Sequence, residues 1–343
     1  MEVRCSSQRT RTIFPLSMLN LESRLTRLHL GQLEGHGDRE LWVLRDDELG
    51  GFWGTKFRKY ASITQHCLDH KISHIVATGG LNSNNLAAAA ALCKEKGLHV
   101  TVFAVEDHSD ESRQPTGNHF LLKLLLSADD LKVVPRSEKS NISRRMQEHA
   151  SVLTSQGNQV LILEEGGGCL AAVDGCLTLA DDILRERKEW PYGTYPDHIF
   201  IDSGTALSAA SLASGLFSKG FFPKIKIHIV QMAGFEEQVI EAFSKWVTPV
   251  TGVTWDNVKG HVRVYRPLSP RSYGSTSTEL FSFIKIMAQN HGLLLDPIYS
   301  AKLFMRAFDL IVGQNCRGRI LIIHTGGISG LMGFPQITSE SIK

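Results

Sequence analysis

The sequence predicts an α/β protein of two lobes, each built on a doubly wound sheet of parallel or mixed strands. Three observations carry that reading. Short apolar runs of strand length alternate with longer helical segments from Leu41 to Ile323, the order that parallel sheets require. Several runs end in loops rich in glycine, hydroxyl or amide residues, as the ligand-gathering ends of such sheets do. At 343 residues, the chain is long enough for two lobes.

The elements follow in order. Leu16 to Leu30 mixes leucines with arginines and carries no clear chemistry, and Gly31 to Arg39 reads as a polar turn region. Leu41 to Leu44 reads as a strand, Tyr60 to His70 as a helix and His74 to Thr78 as a strand closed by Gly79-Gly80. Leu86 to Lys96 is an alanine-rich helix with Gly97 as its cap. Val100 to Val105 and Leu131 to Val134 read as strands, Asn118 to Leu126 and Ser143 to Ser155 as helices. The strand Gln159 to Leu163 leads into a long helix, Cys169 to Lys188. His198 to Ile201, Lys224 to Met232 and Val262 to Tyr265 continue the strands. Ala209 to Phe217, Phe235 to Trp246 and Thr278 to Gln289 continue the helices. Asp296 to Tyr299 opens a last helix reaching about Ile311, and Arg319 to Ile323 is the final strand. No repeat or low-complexity segment interrupts the pattern.

Composition narrows the class. Hydrophobic residues are 42% and charged residues 21%, ordinary for a globular protein. A net charge of +2 gives no bias toward nucleic acid or a membrane surface. The six cysteines are scattered, without a Cys-x-x-Cys pair, which points to a reducing compartment and away from a zinc ribbon. Ile13 to Leu19 is too short and interrupted for the apolar core of a signal peptide, and no window reaches the length of a membrane span. A cytoplasmic protein is expected. The fourteen histidines show no ligand spacing, so no metal is assigned.

The chemistry concentrates around Arg45 to Tyr60. Two acids, three glycines within five residues, and Lys56, Arg58 and Lys59 follow one another there. Glycines let backbone approach a ligand closely, and a lysine held in a pocket can lose its proton and act as a nucleophile. Four further loops are candidates: Gly79 to Asn85, Glu165 to Gly168, Ser203 to Ser208 and Thr325 to Gly327. Together they suit a phosphorylated, planar cofactor, because helix N-termini and hydroxyl side chains supply donors to phosphate. The dinucleotide and P-loop glycine patterns are missing.

Four motifs, in this order, carry a resemblance. They are Leu44-Arg-Asp-Asp47 with Gly54-Thr-Lys-Phe-Arg-Lys59, then Gly79-Gly-Leu-Asn-Ser-Asn84, then Leu295-Asp-Pro-Ile-Tyr-Ser-Ala-Lys302, then His324-Thr-Gly-Gly327. From about Leu25 to Phe334 the chain resembles the pyridoxal-phosphate family of D-cysteine desulfhydrase and 1-aminocyclopropane-1-carboxylate deaminase, of the tryptophan-synthase-β fold type (fold type II).

The resemblance implies pyridoxal 5'-phosphate as cofactor and a small amino acid as substrate. It implies a larger lobe of residues 1–58 plus 161–343, a smaller inserted lobe of 59–160, and a homodimer. Lys56 would bond covalently to the cofactor aldehyde. Lys59 would neutralise phosphate, which would rest on Ser203, Gly204, Thr205, Ala206, Leu207 and Ser208. Asn84 would contact the ring hydroxyl and Thr325 the ring nitrogen. Ser83 would act from the substrate side, with Tyr273 and Tyr299 facing the substrate. Asp46 and Asp47 read as caps or ion-pair partners, and His324 as a packed strand-end residue.

The chain departs from the family pattern at Thr55, where relatives carry asparagine, and at Thr205 to Ser208, where glycines are usual. D-Cysteine elimination to pyruvate, ammonia and sulfide is the leading reading, because Ser300 stands where the deaminases carry glutamate. Cyclopropane deamination or another D-amino-acid lyase is the alternative. A catalytically weakened binding or regulatory protein is the alternative of a different class.

Overall fold

The computed structural model describes residues 21–30, 38–106, 114–185, 188, 190, 194–222, 224–268 and 270–338. The expected features at 1–19 and 31–37 lie outside these. Among the described residues, ten strands form two sheets. They are β1 Arg24–Arg27, β2 Arg39–Arg45, β3 His74–Gly80, β4 His99–Val105, β5 Leu131–Val134, β6 Val160–Leu163, β7 His198–Ser203, β8 Lys226–Gln231, β9 Val262–Tyr265 and β10 Gly318–Ile323. The six-stranded sheet has the order β1-β2-β10-β7-β8-β9, and the four-stranded sheet β5-β4-β3-β6. Every pairing is parallel except the antiparallel β1–β2 edge.

The helices are α1 Thr55–Asp69, α2 Asn84–Glu95, α3 Gly117–Leu125, α4 Ile142–Ser155, α5 Ala171–Leu184 and α6 Leu207–Ser218. There follow α7 Glu236–Ala242, α8 Thr248–Thr251, α9 Trp255–Val258, α10 Thr278–His291, α11 Ser300–Gly313 and α12 Ile328–Leu331. None among the described residues is long and apolar enough to cross a membrane.

Alternation along the strands explains why helices cover both faces of each sheet. In β2, Trp42 and Leu44 join a core with residues of α5 and α6, while Leu41 and Val43 join a second core with α10 and α11. In β3, Ile75 and Ala77 face the alanines of α2, whereas Val76 packs with Ile142 and Met146 of α4. The small side chains Ala87 to Ala90 are fully buried and let α2 lie close to its neighbours.

The structure refines several expected boundaries. Arg24–Arg27 forms a strand in a stretch to which the sequence pattern assigns no element. Helix α1 begins at Thr55 rather than Tyr60, which puts Lys56 in its first turn. Helix α5 ends at Leu184, and the helix expected through Trp246 passes into a π-turn at Phe243–Val247. The expected lobe boundary at 160/161 runs along β6, which pairs with β3 and so belongs to the four-stranded sheet. The boundary at 58/59 falls inside α1.

Candidate active site

The carboxyl ends of strands from both sheets meet at one cleft of about 740 Å³, counting its solvent-open mouth. It opens at the start of α1. Gly54 there has a φ of +65°, and a Cβ on it would sit 2.1 Å from the carbonyl oxygen of Thr325. Thr55 fastens the same contact: its N–H and hydroxyl donate to Thr325 O at 2.9 and 3.2 Å. This backbone seam holds Lys56 beside Thr325. Lys56 lines the cleft with its ammonium 5.6 Å from the ring centre of Tyr299.

One turn on, Lys59 is 5% exposed. Its ammonium donates to Gly166 O at 2.6 Å and has no carboxylate partner among the described residues. Burial draws its pKa down, and Lys56 pushes the same way. Asn85 braces the same loop. With its amide turned to satisfy both ends, it donates to Gly166 O at 3.0 Å and accepts from Gly167 N at 3.2 Å and Tyr60 at 3.0 Å.

Ser83 is the N-cap of α2, accepting from the N–H groups of Asn85 and Leu86 at 3.2 and 3.4 Å. Its hydroxyl also lines the cleft. The two roles are compatible, because a capping hydroxyl accepts through its lone pairs and keeps its own proton to donate. Asn84 lines the cleft with its Oδ1 fixed by Asn118 at 2.6 Å.

Strand β7 delivers Asp202 to Ser208. Ser203 is buried and its hydroxyl has no partner. Ala206 sits at φ +62°, ψ −8° and caps α6, whose free N–H groups follow. The loop thus adopts with alanine the left-handed conformation that glycine normally supplies. Tyr299 closes the opposite side. Its hydroxyl lies over Gly204, where a Cβ would approach it to 3.1 Å, and it is 2.9 Å from the hydroxyl of the exposed Tyr273. Burial, together with Tyr273, lifts the Tyr299 pKa well above its usual value, so it stays a phenol.

Thr325 donates to Asp202 Oδ2 at 3.0 Å. Burial pushes the Asp202 carboxyl up to about 6, against the pull of Lys56 and the Thr325 hydrogen bond. Ser300 points elsewhere: it is fully buried and shares a hydrogen bond of 2.9 Å with Asp296, which caps α11.

Every site residue expected from the sequence lines this one cleft, including Lys56, Lys59, Ser83, Asn84, Tyr273, Tyr299, Thr325 and the whole of Ser203 to Ser208. Sequence reasoning assigned no role to Asp202 or Asn85, which also line it. An acid closing an apolar strand directly before a glycine loop was the available signal for Asp202. Away from the cleft, His198, His228 and Cys316 bring ligand-type atoms within 4.8 Å of one another. His198 and His228 hydrogen-bond each other at 3.0 Å. Burial, then His198, Lys226 and Arg263, push His228 down to about 3, so its imidazole is neutral at pH 7.

The donor set fits a planar ligand with a phosphate. Among the described residues, a buried cation lacks an anion and a buried hydroxyl lacks a partner, and a twelve-residue helix presents its N-terminus. Comparison with known proteins agrees. The model of the pyridoxal-phosphate dependent enzyme family matches residues 20–326. A D-cysteine desulfhydrase of Serratia proteamaculans is 26% identical over 330 residues, covering 90% of this chain and 93% of that protein. A crystal structure of an ACC deaminase homologue superposes with a TM-score of 0.73 at 21% identity, over 92% of each chain. The holo diaminopropionate ammonia lyase of Escherichia coli shares the fold at a TM-score of 0.62 and 14% identity, covering 93% of this chain and 88% of that one. The chain therefore belongs to the family of pyridoxal-phosphate dependent enzymes, with pyridoxal 5'-phosphate as its cofactor.

Proposed function

We propose that the protein is a lyase that removes the β-substituent of a small amino acid, with D-cysteine as its leading substrate. The observation that carries this is the convergence on one cleft of Lys56, Ser83, the Tyr299 phenol and a buried Lys59 that has no carboxylate partner among the described residues. The Serratia relative, named a D-cysteine desulfhydrase, supports the substrate class.

The residues divide the work. Lys59, the N-terminus of α6, Ser203, Thr205 and Ser208 would hold the phosphate, with Gly204, Ala206 and Leu207 shaping the backbone around it. Asn84 would face the ring hydroxyl and Thr325 the ring nitrogen. When bound, the cofactor supplies an aldehyde for the substrate amine and a sink for the electrons of the broken Cα bond. Lys56 is the covalent anchor and the base that removes the Cα proton. Ser83 donates to the substrate carboxylate. Tyr299, oriented by Tyr273, stays protonated and donates on the substrate side. The β-substituent leaves with its bonding electron pair. With D-cysteine and water, the products are pyruvate, ammonia and hydrogen sulfide.

Ser300, in place of the deaminases' glutamate, supports elimination. A second reading, deamination of 1-aminocyclopropane-1-carboxylate, is favoured by Asp202, which brings a carboxylate beside Thr325 from a different strand. We further propose a cytoplasmic homodimer, a reading supported by the five free, buried cysteines for the compartment and by family resemblance for the dimer. The smaller lobe is proposed as 59–160, extended through Leu163 to include β6.

The test is spectroscopic first. Protein mixed with cofactor should show a visible absorption band that Lys56→Ala loses. Release of 2-oxo acid is then compared across D-cysteine, L-cysteine, D-serine and the cyclopropane amino acid. Fastest turnover of D-cysteine is expected. Preferential turnover of the cyclopropane would replace the first reading with the second, and a protein that stays colourless would overturn both.

A further inference from the structure

Asp202, next to the last residue of β7, is 6% exposed and lines the cleft, but holds neither phosphate nor substrate in the proposed elimination. One carboxylate oxygen accepts from the Thr325 hydroxyl at 3.0 Å, and the other, Oδ1, is buried without any partner. The charged groups acting on it are Lys56 from α1 and Asp296 ahead of α11, and Thr325, from the loop after β10, adds a hydrogen bond. Tyr299 feels its charge from the opposite wall. No arginine or lysine forms an ion pair with it among the described residues.

The direction of the hydrogen bond has a chemical consequence. Thr325 gives its only hydroxyl proton to Asp202, so the Thr325 oxygen can offer nothing but lone pairs to the cleft. Oδ1 is itself buried, so the Asp202 charge reaches the cleft through Thr325. The Thr325 oxygen can only accept, and a carboxylate stands behind it. The matching ligand group is an N–H donor that carries positive charge.

Resting on the assignment of Lys56 as the cofactor lysine, we propose that Asp202 is a positioning residue that, through Thr325, keeps the ring nitrogen of the cofactor protonated. A hydroxyl acting alone would leave that nitrogen neutral. A carboxylate behind the hydroxyl makes the ring a stronger electron sink. A carboxyl that ionises at about pH 6 is available for this at neutral pH, and a cation beside it strengthens the ionised form. Ser300 cannot supply this charge: it carries no carboxylate, and its hydroxyl donates to Asp296.

The experiment compares binding of pyridoxal 5'-phosphate with that of its analogue in which the ring nitrogen is replaced by CH. Both are titrated into wild type, Asp202→Asn and Thr325→Val, with protein fluorescence as the readout, so turnover is not needed. Wild type should prefer the natural cofactor by about 10-fold or more, the worth of one hydrogen bond to a charged group. Asp202→Asn should bring the two ligands within about 3-fold of each other, by removing that bond's charge. A purely structural Asp202 would weaken both ligands together and leave the ratio unchanged, which overturns the proposal. If Asp202→Asn does not fold, the Thr325→Val ratio decides: collapse supports the relay and an unchanged ratio refutes it. Wild type that binds both equally, while keeping a Lys56-dependent band, refutes this proposal alone. Wild type that takes up neither refutes the cofactor assignment as well.

Discussion

Arg58 stands between the two cleft lysines in sequence and faces the opposite way. It is fully buried and binds Asp46 at 2.8 Å, Ser23 at 3.0 Å, and Asp182 of α5. Burial would raise the Asp46 carboxyl, but the charge and hydrogen bonds of Arg58, with Ser23 and Thr55, hold it below its usual value. Asp47 is likewise an ion-pair partner, bound to Arg45 at 2.7 Å. The basic cluster at the start of α1 therefore mixes two cleft cations with one structural cation. Removing one member of such a network strands the others, so Arg58→Met should lower unfolding free energy by about 3–5 kcal/mol. Urea denaturation checks it; a loss under about 1 kcal/mol would mean that water replaces the guanidinium, as at exposed pairs. Residue type alone does not separate Lys56, Arg58 and Lys59; the motif resemblance singles out the two lysines. The structural role of Arg58 shows only in the distant acid Asp182.

At the scale of elements, two helices fix the cleft. Helix α1 is pinned by Arg58 and by α5, where a Cβ on Gly175 would lie 2.1 Å from the Arg58 carbonyl. Helix α6 begins at the left-handed Ala206. That conformation costs an L-residue about 1–2 kcal/mol, of which glycine's greater freedom in the unfolded chain takes back part. Ala206→Gly should therefore raise stability by about 0.5–1 kcal/mol. Thermal unfolding of the variant without cofactor measures this, and a lower midpoint would show that the alanine methyl contributes more through packing than the backbone loses. Glycine-rich strand ends were legible because few residues make such turns. The strand β1 was not, since its four residues, Arg-Leu-Thr-Arg, carry a single apolar side chain and pair, among the described residues, with β2 alone.

For the whole molecule, the two-sheet architecture was legible because apolar runs alternate with helical ones along nearly the entire chain. Which loops share a cleft was legible only through motif order. The Asp202–Thr325 contact joins residues 123 positions apart, and nothing local in either segment announces it. The pH dependence of stability is also a property of the assembled sheets. His228 is pushed from 6.5 down to about 3, first by burial and then by its cationic neighbours. The unfolded chain therefore binds a proton there that the folded chain refuses. Stability is full above pH 6.5 and falls as pH drops toward 3, by up to about 1.4 kcal/mol per pH unit. Asp202, raised from 3.8 to about 6, acts in the opposite sense, losing stability as pH rises across that window. His228→Gln should flatten the acid limb between pH 6.5 and 4 in urea melts; an unaltered limb would assign the acid loss to the carboxylates.

The order of the large sheet, β1-β2-β10-β7-β8-β9, has a consequence for synthesis. Its third position is filled by the last strand among the described residues, Gly318–Ile323. A ribosome thus finishes β2 and β7 long before the strand that joins them exists. Lys56 emerges early, yet its neighbour Thr325 arrives 269 residues later, and the seam at Gly54 cannot close before then. Until β10 is made, β2 and β7 lack their shared neighbour, and such non-local pairing slows folding. Thr325 joins the cleft only when β10 slides home, so in this molecule completing the sheet and completing the cleft are one event.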